Sequence, residues 1–204
     1  MNKLSITSLV AAGALLAAAS VQAAEVKIAL DSPPDMEKAG SYVWSHTFAE
    51  ELKKHGMAAK EFPRGALGGE AERLDQTSQG LLEVNMADVK SAGKVDKLIF
   101  GLYLPYLYED NAHQDRAVAH AGLLKQINKN IAKGGIRILA MTVVGPASGI
   151  FNTKRPIHNV KDMADLRMRA LDENQIALYK AWGSNGTIVA WKEVPNALQT
   201  GVAH

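Results

Sequence analysis

Apolar, β-favouring residues alternate with polar ones over Val26–Leu30, break at Asp31-Ser32-Pro33-Pro34-Asp35, and return as Tyr42, Trp44, Phe48 and Leu52. Alternation is the period of a strand, and three-to-four spacing is that of one helix face. The pattern therefore predicts a strand, a loop and an amphipathic helix from Met36 to His55, with Gly56 as its C-terminal cap. Ala58–Phe62 predicts a second strand and Pro63-Arg64-Gly65 a turn. Gly69–Gln79 follows as a helix with Glu70 and Glu72 in its first turn, where carboxylates offset the helix dipole. Gly80 ends that helix, and Val84–Ala87 predicts a third strand.

A segment rich in aromatic residues, with Phe100, Tyr103, Pro105, Tyr106 and Tyr108, leads to one long predicted helix from Asn111 to Lys133, stopped by Gly134-Gly135. Ile136–Val144 is apolar enough for a buried strand. Gly145-Pro146 marks the crossing between two lobes, because the pattern then restarts: strand Gly149–Asn152, turn, short helix, strand, helix Glu173–Trp182, strand Thr187–Ala190. Alternating strands and helices imply parallel pairing through right-handed crossovers, hence an α/β fold. The expected organisation is a first α/β lobe over 24–145 and the start of a second over 146–204.

Composition narrows the function classes. Lys3, the apolar run Leu9–Ala19 and the small residues Val21 and Ala23 have the form of a cleavable secretory signal over residues 1–23. The run is too short for a membrane-spanning helix. The formal charge is +2 with basic residues scattered, which speaks against a nucleic-acid partner, and there is no cysteine, so neither disulfides nor thiolate metal sites arise. The chain has no Gly-x-Ser-x-Gly elbow and no Gly-x-Gly-x-x-Gly, and Gly65–Gly69 lacks the lysine of a phosphate loop. His113, Asp115 and His120 motivate a metal or hydrolytic enzyme as the rival reading. The two histidines stand two turns apart without a His-Glu-x-x-His pattern, and solvated helix residues account for them better.

The chemistry concentrates at Leu166-Arg167-Met168-Arg169. A period of two turns both arginines to one face and packs Leu166 and Met168 inward. A guanidinium offers a rigid fork of donors that matches a carboxylate through two parallel hydrogen bonds. The alternative for Arg169 is a surface arginine paired with a nearby acid. Asp31 and Asp88 follow the first and third predicted strands, and the carboxyl ends of strands are where open α/β sheets bind ligands. An acid there suits a hydroxyl, an amine or a cation, or is a plain turn aspartate.

Two ordered motifs, Pro63-Arg64-Gly65-Ala66-Leu67-Gly68-Gly69-Glu70 with Gly80 and Met86-Ala87, and Lys154-Arg155-Pro156-Ile157 through Arg169 to Trp191-Lys192-Glu193-Val194 and Ala197-Leu198-Gln199-Thr200-Gly201-Val202, resemble the solute-binding proteins of tripartite ATP-independent periplasmic (TRAP) transporters. The resemblance implies a two-lobed α/β periplasmic receptor, without cofactor or catalysis. Its cleft closes on a small organic acid and delivers it to membrane permease subunits; receptors of this kind are most simply monomers. The family's carboxylate-binding arginine falls on Arg169, its ligand-packing aromatic on Trp191, and softer ligand positions on Asp88 and Asp31. A liganded receptor that feeds a membrane sensor is the alternative output. The chain departs from the pattern in two places. Pro146–Phe151 lacks the second arginine many members carry, which favours a monocarboxylate, and Ala170-Leu171 stands where Val-Pro is usual. The family continues past His204, so the second lobe is expected to be incomplete within these residues.

Overall fold

The computed structural model of the protein describes residues 25–102, 104, 106–120, 122–142 and 149–204. Its first part runs β1 (Val26–Ala29), α1 (Gly40–Lys54), β2 (Ala59–Phe62), α2 (Glu70–Ser78) and β3 (Val84–Asn85). The three strands are parallel in the order β2-β1-β3. As the central strand, β1 is flanked on both edges, and Ile28, Ala29 and Leu30 at its end are fully buried. The predicted strand–helix–strand units are thus present. Helix α1 begins at Gly40 instead of Met36 because the Asp35 carboxylate accepts the backbone N–H groups of Glu37 and Lys38, each at 2.9 Å. Such a local turn competes with helix formation. At its other end Gly56 adopts φ 77°. Its N–H reaches Lys53 O at 3.0 Å while that of Met57 reaches Leu52 O at 3.0 Å, the paired closure that a left-handed residue makes possible.

Downstream lie α3 (Leu98–Gly101), α4 (Asn111–His120) and α5 (Leu123–Ile131). The single helix expected over 111–133 is therefore two, since Gly122 takes φ 59° and a left-handed residue cannot continue a right-handed spiral. The break lets α5 turn Ile127 and Ile131 onto Ala92, Ile99, Leu102 and Ile136 to form the first core. The strand expected over Ile136–Val144 does not form in 136–142; 143 and 144 lie outside the described residues. Instead the Asn128 amide group bonds both backbone groups of Ile138, donating to its carbonyl at 2.9 Å and accepting from its N–H at 2.8 Å. A side chain thus takes the place of a neighbouring strand, while Ile138 and Met141 still pack against the core.

The second part contains β4 (Arg167–Ala170), α6 (Glu173–Ala181), β5 (Asn185–Ile188) and α7 (Val194–Gln199). Strands β4 and β5 pair in parallel with Arg169 opposite Thr187. β5 begins two residues before the predicted Thr187 because Gly183, at φ 79°, reverses the chain early enough for Asn185 N–H to bond Leu166 O at 2.8 Å. The expected strand over Gly149–Asn152 is absent from its described residues: Asn152 folds the chain into a turn by accepting from Lys154 and Arg155 N–H at 2.8 and 2.9 Å. The short helix forms as a 3₁₀ turn, Val160–Met163, closed by a reciprocal cap between Asn159 and Asp162. A separate core gathers Met163, Leu166 and Met168 with Ile157, Tyr179 and Trp182. The expected signal segment and the Gly145-Pro146 crossing lie outside the described residues. Among the described residues no helix is long and apolar enough to cross a membrane.

Two glycines separate backbone strain from steric exclusion. A Cβ at Gly56 would meet nothing within 4 Å, whereas at Gly135, φ 71°, it would lie 2.4 Å from Ser78 O. Gly56→Ala should lower stability by about 1–2 kcal/mol, the left-handed penalty alone, and Gly135→Ala by clearly more, as read by urea unfolding. Equal losses would show that the Gly135 contact relaxes freely.

Candidate functional site

Helix α2 carries only Ala71 and Leu74 as apolar residues, too few to bury it on a sheet. The remainder of its inner face is Arg73, which is fully buried. Its two terminal nitrogens donate to the two oxygens of Asp31 at 2.9 Å each, Nε donates to Asn85 Oδ1 at 2.9 Å, and Nη1 donates to Gly68 O at 2.8 Å. Asp31 follows β1 and Asn85 ends β3, so one guanidinium ties α2 to the carboxyl ends of two neighbouring strands. A buried cation persists only with such full pairing. Asp31 therefore borders the site with its charge already matched. Arg73 was not among the residues singled out from the sequence; the poverty of apolar residues in its helix was the available signal.

Asp88 caps the 3₁₀ turn Val89–Lys94, accepting from Lys90 N–H at 3.0 Å, with Lys90 Nζ 3.4 Å from its other oxygen. That is the geometry of a turn aspartate. Glu70, read from sequence as a first-turn carboxylate, also faces this wall and accepts a hydrogen bond from the Ser91 hydroxyl. Burial pushes its pKa above the ordinary 4.5; Asp88 and Asp31 push it further, against the Ser91 bond and Arg73.

On the other wall, β4 alternates as predicted, with Met168 and Ala170 buried, Arg167 exposed and Arg169 half-buried. The two arginines have different partners. Arg167 Nε donates to the His204 ring at 2.9 Å, whereas Arg169 Nε donates to Val189 O at 2.9 Å. The Arg169 guanidinium sits 5.7 Å from the centre of the Trp191 ring. Its terminal nitrogens have no acceptor among the described residues. Burial lowers its pKa, and Glu70, Tyr179, Asp88 and Asp31 oppose that shift, so the first-part acids and Arg169 act on one another across one space. Trp191 opens a 3₁₀ turn, Trp191–Glu193, and is 57% exposed; it is not a core residue.

A cleft of about 480 Å³ lies beside this pair, bounded by Asp31, Pro33 and Arg64 from the first part and by Trp191, Lys192, Val194, Pro195 and Leu198 from the second. Arg169 is not in the cleft lining; its guanidinium adjoins the cleft at the Trp191 ring. Another hollow of about 350 Å³, between α4, α5 and Met141-Thr142, contains none of the expected ligand-binding residues; of the residues behind the rival enzyme reading it is lined by Asp115 and by neither His113 nor His120. His113 belongs to the turn that opens α4, its Nδ1 accepting from Glu109 N–H at 3.3 Å.

The family model for bacterial extracellular solute-binding protein, family 7, matches residues 34–204. The ectoine/5-hydroxyectoine-binding periplasmic protein UehA of Ruegeria pomeroyi is 27% identical over 164 residues, 78% of this chain and 48% of its own length. A TRAP periplasmic solute-binding protein of Roseobacter denitrificans, solved with β-D-glucuronate, aligns with a TM-score of 0.79 at 25% identity, over 88% of this chain and 59% of that one. One from a Polaromonas species, solved with D-erythronate, gives 0.77 at 26% identity, over 88% and 59%. The chain spans about half the length of the curated relatives it matches.

Arg73→Met should lower stability by about 3–5 kcal/mol, because it leaves Asp31 in place with no counter-charge; calorimetry or denaturant unfolding reads the change. Glu70 yields the opposite kind of effect. Its raised pKa means that the fold favours the protonated acid, so stability is greatest below the ordinary 4.5 and falls as pH rises through the folded value. Glu70→Gln should therefore gain stability over the parent as pH climbs above 4.5, and converge with it below. A difference independent of pH would refute the shift.

Proposed function

Since the chain belongs to the bacterial extracellular solute-binding proteins of family 7, we propose that it is a periplasmic receptor that binds a small organic acid and passes it to the membrane subunits of a TRAP transporter. The lobes over 24–145 and 146–204 form the two walls of its cleft. One observation carries the reading: Arg169 is half-buried and oriented, yet its terminal nitrogens have no acceptor among the described residues. Partial burial strengthens a charge-assisted pair relative to one in water. A ligand carboxylate fits that fork in a bidentate manner, and the glucuronate and erythronate held by the two solved proteins share this group. The Trp191 ring, beside the guanidinium, covers the pair and keeps water from it.

Glu70 and Asp88 act on Arg169 from the facing wall. Carboxylates there repel the ligand's acid end and accept from its hydroxyl groups, which orients a hydroxy acid with its carboxylate toward Arg169. The chemistry ends at binding; nothing in this reading calls for a cofactor or a bond-breaking step, and the receptor works as a monomer.

Titration of the full chain with hydroxy, keto and uronic acids, followed by tryptophan fluorescence, tests the assignment. Arg169→Ala should weaken the best acid by about 2–3 kcal/mol, roughly 30- to 150-fold. Arg169→Lys should fall between, since it keeps the charge and loses the fork. Unchanged affinity in Arg169→Ala would remove the carboxylate from this arginine.

A further inference from the structure

Resting on that reading, we propose that the cleft holds a second anion-binding point, formed by Arg64 and Lys192, that takes the far acidic group of an organic diacid. The residues come from opposite walls. Arg64 sits in the loop after β2 with a left-handed backbone, φ 56°, which a non-glycine residue adopts only when its surroundings hold it there. Two bonds to the end of β1 hold it: Arg64 N–H to Ser32 O at 3.1 Å and Gly65 N–H to Leu30 O at 2.9 Å. Lys192 arrives from the turn after β5 and lays its stem over that loop. A Cβ added to Gly65 would stand 3.7 Å from Lys192 Cδ and 3.3 Å from Asp31 Oδ1.

Arg64 and Lys192 both line the 480 Å³ cleft. Neither side chain makes a hydrogen bond or ion pair with a described residue. The one acid that lines the cleft with them, Asp31, has both oxygens engaged by Arg73. The cleft mouth therefore has an excess of positive charge, and an anion between two like charges relieves their repulsion. Trp191 borders both this mouth and Arg169. A ligand lying along the indole would thus present one carboxylate to Arg169 and the other to Arg64 and Lys192. On this proposal the guanidinium missing from Pro146–Phe151 is replaced from the facing wall, and the ligand is a diacid where the sequence favoured a monocarboxylate.

Matched pairs that differ by one charge test this: glucarate against gluconate, and succinate against succinamate, titrated calorimetrically into the full chain. The parent should bind the diacid of at least one pair about tenfold more tightly than its partner. Arg64→Asn, chosen because asparagine tolerates the left-handed backbone, combined with Lys192→Ala, should abolish that preference and leave monoacid affinity within about twofold. Rising salt should reduce the preference in the parent and have no such effect in the double variant. Equal weakening of both acids, or an undiminished preference, would overturn the second point. A parent that binds monoacids alone would overturn it while the Arg169 reading stands, and a parent that binds no acid would overturn both.

Discussion

The pairing of Arg73 with Asp31 is the constraint on which the rest of the first part depends. A fully buried guanidinium is tolerable only where nearly every donor finds an acceptor, and here the acceptors are a carboxylate after β1, an amide at the end of β3 and the carbonyl of Gly68. Satisfying one side chain thus fixes the angle of α2, the ends of two strands and the loop between β2 and α2. That loop carries Arg64 and Gly65 and is itself tied to the end of β1. The part of the cleft wall that this loop forms is thus tied to β1 and to the Arg73 network.

The same pairing explains the division of labour between arginines. Arg73 is saturated and serves as a strut. Arg169 shares its chemistry but is anchored by a single bond to a backbone carbonyl and by the Trp191 face, so its fork is aimed without being consumed. Arg155 is a third case: its Nε donates to Asp162 O at 2.9 Å, which makes the Lys154-Arg155-Pro156 motif a brace for the turn leading into β4. Guanidinium groups in one chain are thus distinguished by how many donors the fold leaves over, and only those with a remainder can recognise a solute.

What could be read from the sequence followed the range of the forces involved. Strands and helices set by local periodicity, β1, β2, α2, β4, α6 and α1 after its first turn, are where the pattern puts them, and Arg169 and Trp191 lie 5.7 Å apart. The errors arose where a few atoms outweighed the pattern. Gly122 splits a helix whose flanks are good helix formers, Asn128 takes both backbone groups of an apolar segment that reads as a strand, and Asn152 turns a segment that alternates. Partnerships across the fold had no local trace. Asp31 reads as a loop aspartate until Arg73 is found 42 residues away, and Glu70 reads as a dipole-matching carboxylate until burial and its acidic neighbours become visible.

Placing the acids opposite Arg169 rather than beside it has a consequence for binding. Were Glu70 or Asp88 within hydrogen-bond reach, each would compete for the guanidinium fork and an incoming carboxylate would have to displace it. At longer range they oppose the desolvation that pulls its pKa down, while its terminal nitrogens stay open. Trp191 is 57% exposed, so a molecule lying over it would take further solvent from this pair. On the proposed function, desolvation of Arg169, and hence the strength of the bond it would make, is greatest when a ligand itself completes the site. On the same reading, a receptor built this way would hold its solute through interactions that are weak before the solute arrives, which would permit release once the walls separate.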